Sequence, residues 1–434
     1  MNKVNKMDKK NFLFYSLLFY FSLTYLLYQF GPLEYPKVNN MKSSIFLLSY
    51  FLLFIIGYYG SRRIGLINTE QIKNRDKELK FFLKLGLLLS AFFSIAFLVN
   101  FSGSLNPITI GNNIYIGLRD PEIAYLNNLN MEKKSGLITK ITTLFSPITY
   151  AVVPMGIYYF KKLSLGTKVM LILVVMLDLL QFIIKGTNFG ILRITVTIII
   201  SLSVVLSFKG VNINKKKMIT LISILLLFFI FYLLKTISSR LGYVEIPDTY
   251  MGLLVNKDHM LFKILPMGLS IPIFIATTYL SQGYYGFSLA FNYPFTTTYG
   301  LGSGRFLISY GEKIFDIDLW NRTYQAKMDS IWSSRVSWHT FFTWFANDVG
   351  FYGVFIIMLI LGVLFGLVVA DAYDNKNLIA VILLPLYVIL LIFIPANNIV
   401  FDNPVLFMPF IVINFIWFIT LLTRYINRKR ISNG

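Results

Sequence analysis

The chain contains no cysteine and only two histidines. Disulfides, thiolate-bound zinc and thiol nucleophiles are therefore excluded. Charge is scarce as well: 14% of the 434 residues are Asp, Glu, Lys or Arg, against roughly a quarter in an ordinary soluble protein. Acidic residues are the scarcer kind, 20 against 40 Lys and Arg. No GxxxxGK[ST], HExxH, GxSxG or calcium-loop pattern stands in a suitable context, so ATP-driven chemistry within the chain is not expected. The Gly300–Gly304 run lacks the strand-to-helix setting of a dinucleotide site. No internal repeat is visible, which weakens a transporter built from inverted halves. A small-residue cleavage pattern is missing after the first apolar run, so that run is expected to be retained.

What the chain does have is apolar length. Hydrophobic residues make up 56% of it and the mean hydropathy is +0.66. Runs near 20 residues match the thickness of a bilayer core. This composition excludes a soluble enzyme, a disordered scaffold and a nucleic-acid-binding domain. The net charge of +20 is clustered between apolar runs and reads as topology, because cytoplasmic loops carry the Lys and Arg excess. Spans are expected at about 11–30, 43–60, 81–99, 138–160, 168–184, 190–207, 218–236, 345–370, 378–395 and 405–423. Lys3, Lys6, Lys9 and Lys10 place the N-terminus in the cytoplasm, as do Arg62, Arg63, Lys73, Arg75, Lys77 and Lys80 for the next inner loop. Lys161 and Lys162, then Lys209 and Lys215–Lys217, then Arg424, Arg428, Lys429 and Arg430 mark the cytoplasmic side again. The loop at Asp371, Asp374 and Lys376 breaks this pattern.

The expected fold is thus an all-α polytopic membrane protein of about ten, at most twelve, transmembrane helices. It divides into residues 1–236 with seven spans, a large external loop at 237–338, and 339–434 with three spans. Residues 100–137 read as an outer loop punctuated by Asn, Gly and Pro. The stretch from Lys235 to Arg335 holds nine Lys/Arg and seven Asp/Glu, a balance unlike the inner loops. Within it Leu261–Leu280, broken by Pro266 and Pro272, suits an interfacial or re-entrant helix.

Few residues can carry chemistry. His259 and His339 both fall on the external side. His339 stands just before a span and is either a general base or an interfacial hydrogen-bonding residue. Arg119, Arg193, Arg240, Arg305 and Arg335 are candidates to hold phosphate oxygens, which the planar guanidinium does well; Arg322 reads as ordinary loop charge. Arg193 lies a few residues inside a span, where charge is costly, and either serves function or snorkels to the headgroups. Asp178, Gln181 and Lys185 share a helix face and line either a polar cavity or a contact between helices. The segment Tyr279–Leu289, with Tyr284 and Tyr285, suits either a membrane interface or stacking on sugar rings.

Around His339 the chain resembles bacterial O-antigen ligases and polymerases. That family carries a His at the end of a large external loop, an acidic residue nine positions on, and a Gly-x-x-Gly entering a span. His339, Asp348, Gly350 and Gly353 follow that spacing, although Thr340 stands where the family usually has Asn. Ser281–Leu289 with Thr298–Gly302, and the turn Lys185-Gly186-Thr187 followed by Arg193, look like the Wzy-type repeat-unit polymerase branch. The resemblance implies a glycosyltransferase C-like membrane enzyme of the bacterial inner membrane, with both termini cytoplasmic. It would polymerise undecaprenyl-pyrophosphate-linked repeat units into O-antigen or capsule and release undecaprenyl pyrophosphate. His339, Arg193 and Arg240 would be catalytic; Arg119, Arg305, Arg335, Lys185, Tyr284, Tyr285 and Asp348 would bind substrate. The pyrophosphate leaving group is already activated, so no ATP site is needed, and no metal or other cofactor is expected, since no acidic cluster with metal-ligand spacing is visible. Partners would be lipid-linked glycans, membrane lipids and a chain-length regulator, with no nucleic acid. An O-antigen ligase and a lipid-linked oligosaccharide flippase are the alternatives.

Overall fold

A computed structural model describes residues 9–61, 76–132, 136–208, 215–242 and 245–432. The topology markers Lys3, Lys6, Arg62, Arg63, Lys73, Arg75 and Lys209 lie outside the described residues. The helices are α1 (Lys9–Phe30), α2 (Asn40–Ser61), α3 (Asp76–Ser102), α4 (Pro107–Arg119), α5 (Pro121–Glu132), α6 (Gly136–Tyr159), α7 (Leu165–Ile184), α8 (Phe189–Val205) and α9 (Lys215–Leu241). There follow α10 (Met260–Ile264), α11 (Met267–Ala290), α12 (Arg305–Phe315), α13 (Tyr324–Lys327), α14 (Phe341–Tyr373), α15 (Leu378–Phe393), α16 (Ile399–Asp402) and α17 (Pro404–Ser432). Among the described residues the only sheet is the two-residue antiparallel pair β1 (Thr249–Tyr250) and β2 (Leu253–Leu254). Each expected span is a helix. Eight are long and apolar enough to cross a membrane, and α8 and α15 are apolar but shorter. The chain is an all-α multi-pass membrane protein.

Two stretches read as loops are largely helical. In 100–137 the Asn and Pro are a helix start: Asn106 caps α4, its Oδ1 accepting from the Ile108 N–H at 2.9 Å, with Pro107 at the first helical position. The segment 237–338 contains α10 to α13 and the hairpin. Within it α11 is a 24-residue helix whose second half is buried throughout, from Ser281 to Ala290. Pro272 sits in its second turn, where few helical carbonyls precede it.

The chain divides into two compact units. One comprises Met1–Gly65, Tyr243–Ala370 and Tyr387–Phe407; the other comprises Leu66–Gly242, Asp371–Leu386 and Met408–Gly434. This cuts across the three-part division read along the sequence, because each unit gathers segments distant in the chain. In the first unit α1 packs on α11, and α2 meets α14 through Gly57, Gly362 and Gly366. A Cβ at Gly57 or Gly362 would overlap a backbone carbonyl of the facing helix, at Leu359 or Phe54. Such small-residue contacts let helix backbones approach where lipid gives no hydrophobic drive to association.

In the second unit α3 packs against α6 and α7, and α4 and α5 pack on α7 and α9. Its most complete polar cluster surrounds Asp371, which is 0% exposed. The carboxylate accepts from Asn375 Nδ2 (2.8 Å), Asn377 Nδ2 (2.5 Å), Trp417 Nε1 (2.9 Å) and Arg424 (2.8 Å). The acidic residue that broke the basic loop pattern is therefore an internal partner of Arg424.

Candidate functional site: a buried histidine and a cationic turn

The first unit builds the surroundings of His339 from α11, the 329–340 segment and the start of α14. Gly350 has φ +66, a left-handed conformation that suits glycine, and it breaks α14 into a short helix before it and a long one after it. The break leaves carbonyls without helical partners. Those of Asn347 and Asp348 accept instead from the Thr298 N–H (3.0 Å) and the Thr297 hydroxyl (3.2 Å). Asp348 Oδ1 also accepts from Thr298 Oγ1 (2.5 Å), Gly300 N (2.9 Å) and Gly302 N (2.8 Å). In this state Asp348 is occupied in holding the 297–302 loop. Arg322 and Lys327 hold the preceding residues through the carbonyls of Thr297 and Pro294. Burial, with Arg322 beside it, lowers the pKa of Lys327.

His339 is 1% exposed, and among the described residues neither ring nitrogen has a hydrogen-bond partner. Burial pushes its pKa down to about 3; the Arg305 charge pushes the same way and Asp329 opposes it. The ring is therefore a neutral imidazole at ordinary pH. Above it lies α11. A Cβ on Gly286 would sit 3.0 Å from His339 Nδ1 and from Trp332 Nε1, so glycine makes the room this ring occupies. Gly283, one turn earlier, lets α11 approach the Pro395 carbonyl. Between them the two glycines explain the unusual composition of Tyr279–Leu289. Gln282, on the same helix, accepts from the Trp338 N–H at 3.1 Å, while its Nε2 is buried without a partner. Elsewhere in the same unit, Gln325 Nε2, beside Asn347, and Asn398 Oδ1, beside Ser303, are likewise buried and unpartnered among the described residues. An unpaired buried polar group costs about 1–3 kcal/mol, so native structures keep few of them.

Tyr285 is 5% exposed and meets Trp332 edge to face at 5.0 Å. Tyr284 is fully buried; its hydroxyl is 3.1 Å from Thr24 Oγ1 and its ring lies among those of Tyr25 and Tyr28. Arg305 donates to the Ser334 carbonyl through its guanidinium, and through its backbone N–H to Asp402 Oδ1 at 2.9 Å. Burial raises the pKa of Asp402, against the lowering effect of Arg305. Arg335 is exposed. The other histidine, His259, caps α10: its Nδ1 accepts from the Leu261 N–H, and its Nε2 lies 3.1 Å from the Phe30 carbonyl.

The second unit holds the remaining predicted residues around the turn between α7 and α8. Gly186 has φ +61, and a Cβ there would overlap the Pro121 carbonyl of α5. Arg240 donates to the Gly186 carbonyl at 2.5 Å and lies 4.0 Å above the Tyr125 ring. Lys185 and Arg193 both face the Phe182 ring, at 5.9 and 5.3 Å. Arg193 pairs with Asp178 at 2.6 Å, with side-chain exposures of 14% and 27%. The face shared by Asp178, Gln181 and Lys185 thus makes contacts between helices, since Gln181 also donates to Ser94 of α3 at 2.6 Å. Among the described residues one acid accompanies these three cations, and the Nε atoms of Arg193 and Arg240 are buried without partners. Arg119 is 68% exposed and meets Asp120 at 3.6 Å. It lines an open cavity of about 490 Å³ with Glu122, Lys235, Ser238 and Ser239.

The predicted residues therefore form two groups, one in each unit: His339 with Arg305, Tyr284 and Tyr285, and Arg193 with Arg240 and Lys185. Sequence reasoning passed over Gln282, Trp332, Gln325 and Asn398. Gln282 was within a segment already marked as unusual; the other three carry no local signal. Among the described residues, no group of three or more His, Asp or Glu is placed to hold a metal ion. Compared with protein-family models, curated proteins and solved structures, the chain matches none.

Proposed function

We propose that the chain is a membrane glycosyltransferase. In this reading it polymerises undecaprenyl-pyrophosphate-linked oligosaccharide repeat units on the outer face of the bacterial cytoplasmic membrane. The observation that carries the reading is His339: buried, neutral, and with both ring nitrogens unpartnered. A neutral imidazole can accept a hydrogen bond from an acceptor sugar hydroxyl, and once the entering polar acceptor relieves the desolvation that lowers its pKa it can take that proton as the glycosidic bond forms. The bond from the donor anomeric carbon to pyrophosphate breaks in the same step, and undecaprenyl pyrophosphate leaves. Since His339 is 1% exposed, the acceptor reaches it only when a neighbouring side chain moves aside. In the second unit, the cations about the Lys185–Gly186 turn have the chemistry to bind a lipid pyrophosphate. Asp178 neutralises part of that charge, so bound pyrophosphate competes with it for Arg193.

The test is polymerisation by the purified full chain in detergent, with a synthetic lipid-linked repeat unit and EDTA present, read as a gel ladder. His339→Ala is expected to slow the ladder by about 10²–10⁴-fold, and Arg193→Ala by about 10²–10³-fold. A normal ladder from a monodisperse His339→Ala protein sinks the reading. A second reading, transport of a lipid-linked oligosaccharide, draws on the Asp178–Arg193 pair within apolar helices, since ionisable groups there mark substrate paths. Its product is a translocated, unpolymerised unit, and that of a ligase is glycan moved to a lipid A-core acceptor.

A further inference from the structure

We infer that α12 is an interfacial helix that seats on the lipid headgroup layer through the stripe Phe306, Tyr310 and Ile314. The inference is independent of the reaction proposed above.

The three residues recur every fourth position, so they form one row along the 11-residue helix. Two other rows have clear assignments. Ile308 and Gly311 are buried, with Ile308 in the core of Leu319 and Trp344 and Gly311 against Leu301. Glu312, also on this side, accepts from the backbone N–H groups of Leu319 (3.1 Å) and Trp320 (2.8 Å). Ser309 and Lys313 form an exposed polar row. The Phe306 row lies beside that polar row and is apolar yet uncovered: Tyr310 is 51% and Ile314 69% exposed. Phe315, at the helix end, is 61% exposed.

The depth of the helix comes from its first turn. Phe306 packs edge to face on Phe407 at 5.1 Å. Phe407 is three residues into the membrane-crossing helix Pro404–Ile426, which is about 5 Å from its start at 1.5 Å per residue. The apolar stripe therefore starts at the level where a span begins and runs on along α12. At that level a helix with one apolar and one polar row, the latter carrying Lys313, lies in the bilayer surface, with its apolar row toward the acyl chains and its Lys toward phosphate. Tyr is the residue type expected at this boundary. The one acid within the helix, Glu312, is turned into the protein; Asp316 and Asp318, just past its end, are exposed and face the water side in this arrangement. Arg305, the first residue of the helix, also holds Ser334 and bears on His339, so the same contact ties the histidine's surroundings to the membrane surface.

The chain contains no cysteine, which makes single-site labelling clean. Ile314→Cys and Lys313→Cys are each labelled with an environment-sensitive fluorophore, and the full chain is reconstituted in phosphatidylethanolamine–phosphatidylglycerol vesicles. Nitroxide on the lipid acyl chain and iodide in the water are the two quenchers. The probe at position 314 is expected to lose about half its emission to the lipid nitroxide and little to iodide, with the reverse at position 313. Equal iodide quenching at both positions overturns the inference, because the stripe then faces water. Shielding of position 314 from both quenchers also overturns it, in favour of a protein partner or a second copy of the chain.

Discussion

Asp371 and His339 are both buried, one in each unit, and they are treated oppositely by their surroundings. Asp371 receives four side-chain donors, including the Arg424 guanidinium. His339 receives none at either nitrogen from the described residues. A charged group with every lone pair engaged fixes structure, because each partner would be left exposed to its loss. A neutral group whose hydrogen-bonding positions are unfilled costs stability and leaves those positions available to a ligand. Burial alone therefore does not single His339 out; burial with both ring nitrogens unpartnered among the described residues makes it a candidate.

The comparison can be broken at its charged end first. Asp371→Ala leaves Arg424 unpaired and is expected to cost about 3–5 kcal/mol, read as a lower thermal midpoint or loss of monodisperse protein. An unchanged midpoint would mean that the cluster is not structural. Asn377→Leu removes one donor to the carboxylate, and its expected cost is about 1.5–3 kcal/mol.

Acid probes the other end. His339 has its pKa lowered in the folded state, so the unfolded chain binds the proton more readily as pH falls below 6.5. The stability contributed by the neutral ring is complete above pH 6.5 and is lost progressively as pH falls toward the folded value of about 3. At pH 5 the wild-type chain should have lost about 2 kcal/mol more than His339→Asn, relative to pH 8. Parallel pH curves for the two proteins would show that the ring is not held neutral. The smallest expected effect is on stability at neutral pH. Gln282→Met keeps the volume and gives up one weak acceptor bond from Trp338, and should cost under about 1.5 kcal/mol. The same substitution should impair any activity that uses Gln282 Nε2.

The legibility of the molecule follows the same division. Spans were legible because a bilayer demands about 20 apolar residues in a row, a demand met locally in the chain. The α4–α5 pair is not legible in the sequence because Asn106 and Pro107 serve equally as turn residues and as a helix cap, and only the cap hydrogen bond distinguishes them. His339 stood out by its rarity. The partners that make its state unusual, Gly286 on α11 and Arg305 on α12, are 53 and 34 positions away by the residue numbering. Arg193 stood out by its cost inside a span, but its neutralisation by Asp178 depended on how α7 and α8 pack.

By itself the sequence determined that this is a helical multi-pass membrane protein, and which of its stretches are long and apolar enough to cross a bilayer. Those are properties of composition and local periodicity, and they need no neighbours. Only the tertiary structure decided which of its ionisable groups are satisfied and which are not. Hydrogen bonding and desolvation depend on atoms a few ångströms apart in space, and helices joined through distant segments bring them together.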